Sequence, residues 1–135
     1  RLAAFPEPVG RVAVIYADYR AAAAPAPQCV LQFASAAGCR AVLVDTWCKT
    51  KGGLLDMWCP AEIAHLVHEA RRRSLMSVLA GGLTFAAMER LLPLAPDFLA
   101  VRGAVCCGDR QGAVDAGRLH AAVSLVRASR RRGVA

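Results

Sequence analysis

Lys49 and Lys51 are the only lysines in a chain that carries fifteen arginines. A primary amine can form an imine or exchange a proton near neutrality, and a guanidinium does neither. Lys49 follows Asp45 by four residues. A carboxylate at that distance can orient the amine or shuttle its protons. Desolvation or a neighbouring cation would bring the amine toward a catalytic pKa. A solvated loop lysine beside a loop aspartate accounts for the same spacing equally well. Further along stand the pairs Gly81-Gly82 and Arg102-Gly103. Glycine lets backbone N–H groups approach an anion closely, and arginine grips phosphate oxygens as a two-pronged fork. Asp18 adds a second carboxylate. The candidate catalytic set is therefore Lys49, Asp45 and Asp18, and the candidate phosphate cradle is Gly81, Gly82, Arg102 and Gly103.

What must position these groups is legible in the apolar runs before them. Val12–Ala17, Ala41–Val44, Met76–Ala80 and Phe98–Val101 are continuous apolar stretches, the pattern of parallel strands covered on both faces. They run respectively into Asp18, Asp45, Gly81-Gly82 and Arg102-Gly103. In parallel α/β folds the carboxyl edge of the sheet is where ligands bind. Polar residues also begin ordinary loops at strand ends, but four such endings in succession favour a site.

Between the runs lie helical patterns. Pro27–Ala37 carries Val30, Leu31, Phe33, Ala34 and Ala37 and stops at Gly38. Pro60–Arg73 opens on proline and offers Ile63, Ala64, Leu66, Val67 and Ala70 as an apolar face. Thr84 caps a helix that ends before Pro93. Asp115 caps a last one bearing Leu119, Ala122, Val123 and Val126 and ending near Gly133. Ala21–Pro27 reads as a surface loop, and Thr46–Cys59 as a long loop flanked by Trp47 and Trp58. The β-α alternation predicts a parallel α/β architecture in one domain, residues 1–135. A closed (β/α)8 barrel needs about 250 residues. The 135 present would make an open sheet or half of a barrel.

Other chemistries are disfavoured. His65 and His68 fall at i and i+3, but no third ligand completes a metal site, so no metal is expected. His120 has no companion. The six cysteines form no CxxC pair and fit reduced thiols, with Cys29 and Cys39 beside apolar segments. The net charge of +7 comes largely from Arg71–Arg73 and Arg130–Arg132. Both runs close helical patterns, where cations complement the helix dipole, so nucleic acid is not expected as a partner. Hydrophobic residues make up 56% of the chain and mean hydropathy is +0.37, yet no run approaches a membrane span. Arg1–Pro8 lacks the layout of a secretory signal, and a cytoplasmic protein is expected.

Five stretches in order resemble one family. They are Tyr16-Ala17-Asp18-Tyr19-Arg20; Leu43-Val44-Asp45-Thr46 with Lys49; Leu54-Leu55-Asp56; Leu79-Ala80-Gly81-Gly82-Leu83; and Val101-Arg102-Gly103-Ala104-Val105-Cys106 with Gly108-Asp109-Arg110 and Gly112. Together they are similar to (5-formylfuran-3-yl)methyl phosphate synthase over Val12 to Gly112. The resemblance implies a (β/α)8 barrel, of which this chain matches the second half, strands 5–8. It implies a lyase that joins two molecules of glyceraldehyde 3-phosphate through a Schiff base, for methanofuran in methanogens or a related coenzyme in methylotrophic bacteria. The alanine- and arginine-rich composition points to the bacterial setting. No cofactor is implied, since the imine serves as electron sink.

By the same resemblance Asp45 and Lys49 match active-site positions, and Asp18, Gly81 and Arg102 match motifs at the barrel mouth. Gly82 stands where the family usually has serine. The family's imine-forming lysine belongs to the first half, so the chain alone is expected to be inactive. A silent half-barrel or a phosphate-binding module is the alternative. An isolated half-barrel, with two open sheet edges, is expected to dimerise.

Overall fold

The computed structural model describes residues 9–132. The expectations for Arg1–Pro8 and for the helix end near Gly133 lie outside the described residues. The elements are β1 (Val12–Tyr16), α1 (Pro27–Ala36), β2 (Ala41–Asp45), α2 (Leu54–Met57), α3 (Pro60–Arg72), β3 (Met76–Leu79), α4 (Phe85–Leu91), β4 (Phe98–Leu99) and α5 (Ala116–Arg132). Single 3₁₀ turns cover Leu92–Leu94 and Gly103–Val105. All four strands are parallel and lie in the order β1-β2-β3-β4. Parallel neighbours need a crossover between them, and helices supply it. The α/β alternation read from the sequence is thus present, and all four carboxyl ends share one edge.

The local stop and start signals act as their chemistry predicts. Thr84 accepts the Ala87 N–H at 3.1 Å to cap α4, and Asp115 accepts the Arg118 N–H at 2.8 Å at the head of α5. Pro27 and Pro60 open α1 and α3, where a missing N–H costs nothing. At the opposite edge of the sheet Asp97 accepts both the N–H and the hydroxyl of Ser77, at 2.7 and 2.9 Å. That clamp joins the start of β3 to the residue before β4.

Cover of the sheet departs from expectation. Residues in register on adjacent strands share a face. Ile15, Val44, Leu79 and Leu99 form one row, and the first three are fully buried among Leu31, Ile63, Leu66, Met88 and Leu91. Val14, Leu43, Val78 and Phe98 form the alternate row. There Val14 is 42% and Phe98 53% exposed, and Val12, one step earlier, is 51% exposed. The strands are therefore covered on one face and largely open on the other. An apolar run tells only that both faces are apolar, not that these four strands can hide both.

The helices show the same incompleteness in part. Ile63, Leu66, Val67 and Ala70 of α3 are buried as expected. Among the described residues of α5 only Ala122 is, while Leu119 and Val123 stay exposed. Phe33 of α1 is exposed as well. Among the cysteines, Cys39 packs on the core and Cys106 is buried, but Cys29 is exposed despite its apolar neighbours in sequence.

Candidate active site

β1 and β2 end side by side, with Tyr16 opposite Asp45. The chain then turns away, and Asp18 reaches across to the loop after β2. Its two oxygens accept the backbone N–H groups of Trp47 and Cys48 at 2.7 and 2.9 Å. Partial burial pushes its pKa up. The Trp47 and Cys48 bonds and the charge of Lys49 outweigh that and hold it below its ordinary value. Trp47, pinned by its backbone, meets Tyr16 edge to face at 5.4 Å between ring centroids and remains exposed. Trp58 instead packs on the core and donates its indole N–H to the Ala17 carbonyl at 3.1 Å.

Asp45 and Lys49 form the pair that their spacing permits. Asp45 Oδ1 accepts the Thr46 N–H at 2.7 Å and Lys49 Nζ at 2.9 Å. Lys49 also donates to the Thr46 carbonyl. The ammonium is thus anchored on the first turn past β2, with its side chain 41% exposed. Nearby, the Cys48 thiol is drawn below its ordinary range by its hydrogen bond with the Thr50 hydroxyl.

The glycine pair after β3 has a structural reason of its own. Gly81 and Gly82 have φ of +92° and +61°, conformations that L side chains rarely adopt. A Cβ on Gly81 would sit 2.8 Å from Thr46 Cγ2, and one on Gly82 would sit 3.2 Å from the Gly53 Cα. The Gly81 carbonyl accepts the Leu54 N–H at 2.8 Å, which docks α2 against this turn. Among the described residues the N–H groups of Gly81, Gly82 and Leu83 have no protein acceptor.

Arg102 follows β4 and precedes the 3₁₀ turn that begins at Gly103. Asp45, Lys49, Gly81, Gly82, Arg102 and Gly103 all line one cleft of about 390 Å³. Asp18 does not line it; it braces the loop beside it. Thr46, Thr84 and Arg110 complete the polar lining. Sequence reasoning did not single these out as site residues. Arg110 lay within the Gly108-Asp109-Arg110 stretch that carries the resemblance, and that was its available signal. A larger cavity, about 1020 Å³, lies between β4 and α5 and includes Phe98, Leu119 and Val123 but none of the candidate residues. His65 and His68 are exposed on α3.

A four-stranded parallel sheet with helical crossovers and a cleft at its carboxyl edge belongs to the class of α/β domains, in which that edge is the usual place for a ligand. Within that class the family is shown by sequence. The family model described as 4-HFC-P synthase matches residues 4–123, and the chain belongs to this family. It is similar to the (5-formylfuran-3-yl)methyl phosphate synthase of Archaeoglobus fulgidus, 35% identical over 103 residues, covering 76% of this chain and 44% of the relative. The Methanosarcina acetivorans synthase is 32% identical with the same two shares, and that of Methanopyrus kandleri is 35% identical over 105 residues, again covering 76% and 44%. The chain thus spans less than half the length of these relatives.

Proposed function

We propose that this chain is the second half, strands 5–8, of a (β/α)8 barrel that makes (5-formylfuran-3-yl)methyl phosphate from two molecules of glyceraldehyde 3-phosphate. The observation that carries the proposal is the convergence of Asp45, Lys49, Gly81, Gly82, Arg102 and Gly103 on one cleft at the ends of three parallel strands. The open row of Val14 and Phe98 supports the barrel reading, because apolar side chains there need cover from further strands. The first half of the barrel would provide it.

In this scheme a lysine of the first half forms an imine with one triose phosphate. Lys49 and Asp45 move protons during aldol addition to the second molecule and the eliminations that follow, releasing phosphate and water. Arg102 and the free N–H groups of Gly81 and Gly82 hold a phosphoryl group and stabilise its charge as it leaves. Asp18 acts as a positioning residue, since both its oxygens already hold the backbone on which Lys49 is carried.

The test is consumption of glyceraldehyde 3-phosphate with release of inorganic phosphate by a protein containing both halves. Lys49→Ala is expected to abolish turnover while leaving the fold intact. Turnover unchanged in that variant would remove Lys49 from the chemistry.

A further inference from the structure

We infer that Arg110, from the loop that follows β4, joins Arg102 in gripping one doubly charged phosphoryl group, and that the cleft selects dianions. This rests on the proposed reading of the cleft as a phosphate site and names a residue and a charge state that reading leaves open. The starting point is the charge lining the cleft. Among the described residues Asp45 is its only carboxylate, and Lys49 neutralises it at 2.9 Å. Arg102 and Arg110 line the same cleft, and among the described residues neither guanidinium has a carboxylate or carbonyl partner. Two positive charges are left over, the number needed to match a phosphate monoester near neutral pH.

Both arginines are exposed, so solvent screens their repulsion and leaves both guanidiniums free to meet an anion. The local backbone adds donors of the same sense. The N–H groups of Gly81, Gly82 and Leu83 have no acceptor among the described residues. Guanidinium forks and free amides together make a concave anion receptor.

The loop that carries Arg110 is a fixed clasp. Cys106 and Val114 bridge antiparallel, and the Cys107 N–H donates to the Ala113 carbonyl at 2.9 Å. Inside the clasp Asp109 accepts the Gln111 N–H at 2.8 Å and the Gly112 N–H at 3.1 Å, through side chain and carbonyl respectively. Arg118 of α5 donates to the Cys106 carbonyl at 2.7 Å and ties the clasp to the helix. Asp109 is spent on the clasp and does not line the cleft. Arg110 is thus presented by a braced turn with its own head group unspent.

Calorimetric titration of a protein containing both halves with inorganic phosphate at pH 8 tests this, with sulfate and acetate as the dianion and monoanion comparisons. Arg110→Gln is expected to weaken phosphate binding about 10- to 100-fold, the worth of a charge-assisted hydrogen bond. Arg102→Gln should do the same, and Arg127→Gln on α5 should change nothing. Sulfate should compete with phosphate and acetate should not. Phosphate binding unchanged in Arg110→Gln but lost in Arg102→Gln would overturn the role of Arg110 and leave the cleft reading standing. Acetate binding as tightly as phosphate would overturn dianion selection. Indifference to both substitutions, or no phosphate binding by the two-half parent protein, would bring down the cleft reading as well.

Discussion

Around the segment after β2, the carboxylates near the cleft, and Lys49 with them, are spoken for by the chain itself. Asp18 holds two N–H groups, Asp45 holds Thr46 and Lys49, and Asp56 accepts the Gly53 N–H at 2.7 Å. In the segment after β4, Arg102 and Arg110 have no such partner among the described residues. Satisfied charges fix a loop in place, and their removal strands the groups they held. Unsatisfied ones contribute little to the fold and remain free for a ligand. The contrast predicts that removing a carboxylate such as Asp18 costs stability, and that removing Arg102 or Arg110 costs affinity.

The largest effect on stability is expected at the turn after β3, against which the first segment packs. Gly81→Ala forces a side chain into φ of +92° and drives its Cβ to 2.8 Å from Thr46 Cγ2. Backbone strain and overpacking together should cost about 2–5 kcal/mol. Chemical denaturation measures it, and a loss below 1 kcal/mol would show that the turn has room the geometry denies. Asp18→Ala comes next, at about 1–3 kcal/mol, because the Trp47 and Cys48 N–H groups lose charged acceptors. The same variant should release Trp47 from Tyr16, and near-ultraviolet circular dichroism reads that contact directly.

Asp18 also sets a pH dependence with a definite sign. Its carboxyl titrates below the unfolded value, so the folded state binds fewer protons than the unfolded one there. The stabilisation is full above the ordinary aspartate range, near pH 4, and drains away as pH falls through the depressed folded value. Asp18→Asn should flatten this acid limb of the stability profile. An unchanged limb would assign the acid sensitivity to other carboxylates, such as Asp115, which the Arg118 N–H lowers in the same direction.

How far the sequence reaches depends on whether a feature is local. Strands β1 to β3 and helices α1, α3 and α5 were legible because apolar runs, prolines and caps act over a few residues. β4 shrinks to Phe98–Leu99, since pairing with β3 lasts only from Val78 to Leu79. α2 went unread because Leu54–Met57 is too short to show a period, and its docking depends on the Gly81 carbonyl, 27 residues away. In the cleft, Asp45, Gly81 and Arg102 were legible as strand endings. Arg110 was not, since its place is set by the Cys106–Val114 bridge, a contact that no spacing rule announces. The open face was illegible for a different reason. Apolar residues report what a face needs and not whether this chain meets the need.

The sharpest form of the contrast is the pair of substitutions with the smallest expected effect on folding. Lys49→Met breaks an ion pair whose partners are 41% and 30% exposed, and such pairs contribute about 0–1 kcal/mol. Arg102→Gln removes a guanidinium with no carboxylate partner, so its stability should stay within about 0.5 kcal/mol of the parent. In a protein with both halves of the proposed barrel, Lys49→Met should nevertheless abolish turnover, and Arg102→Gln should weaken phosphate binding. If Arg102→Gln instead destabilised the fold by 2 kcal/mol or more, that side chain would be holding structure, and the division between structural charge after β2 and ligand-binding charge after β4 would collapse.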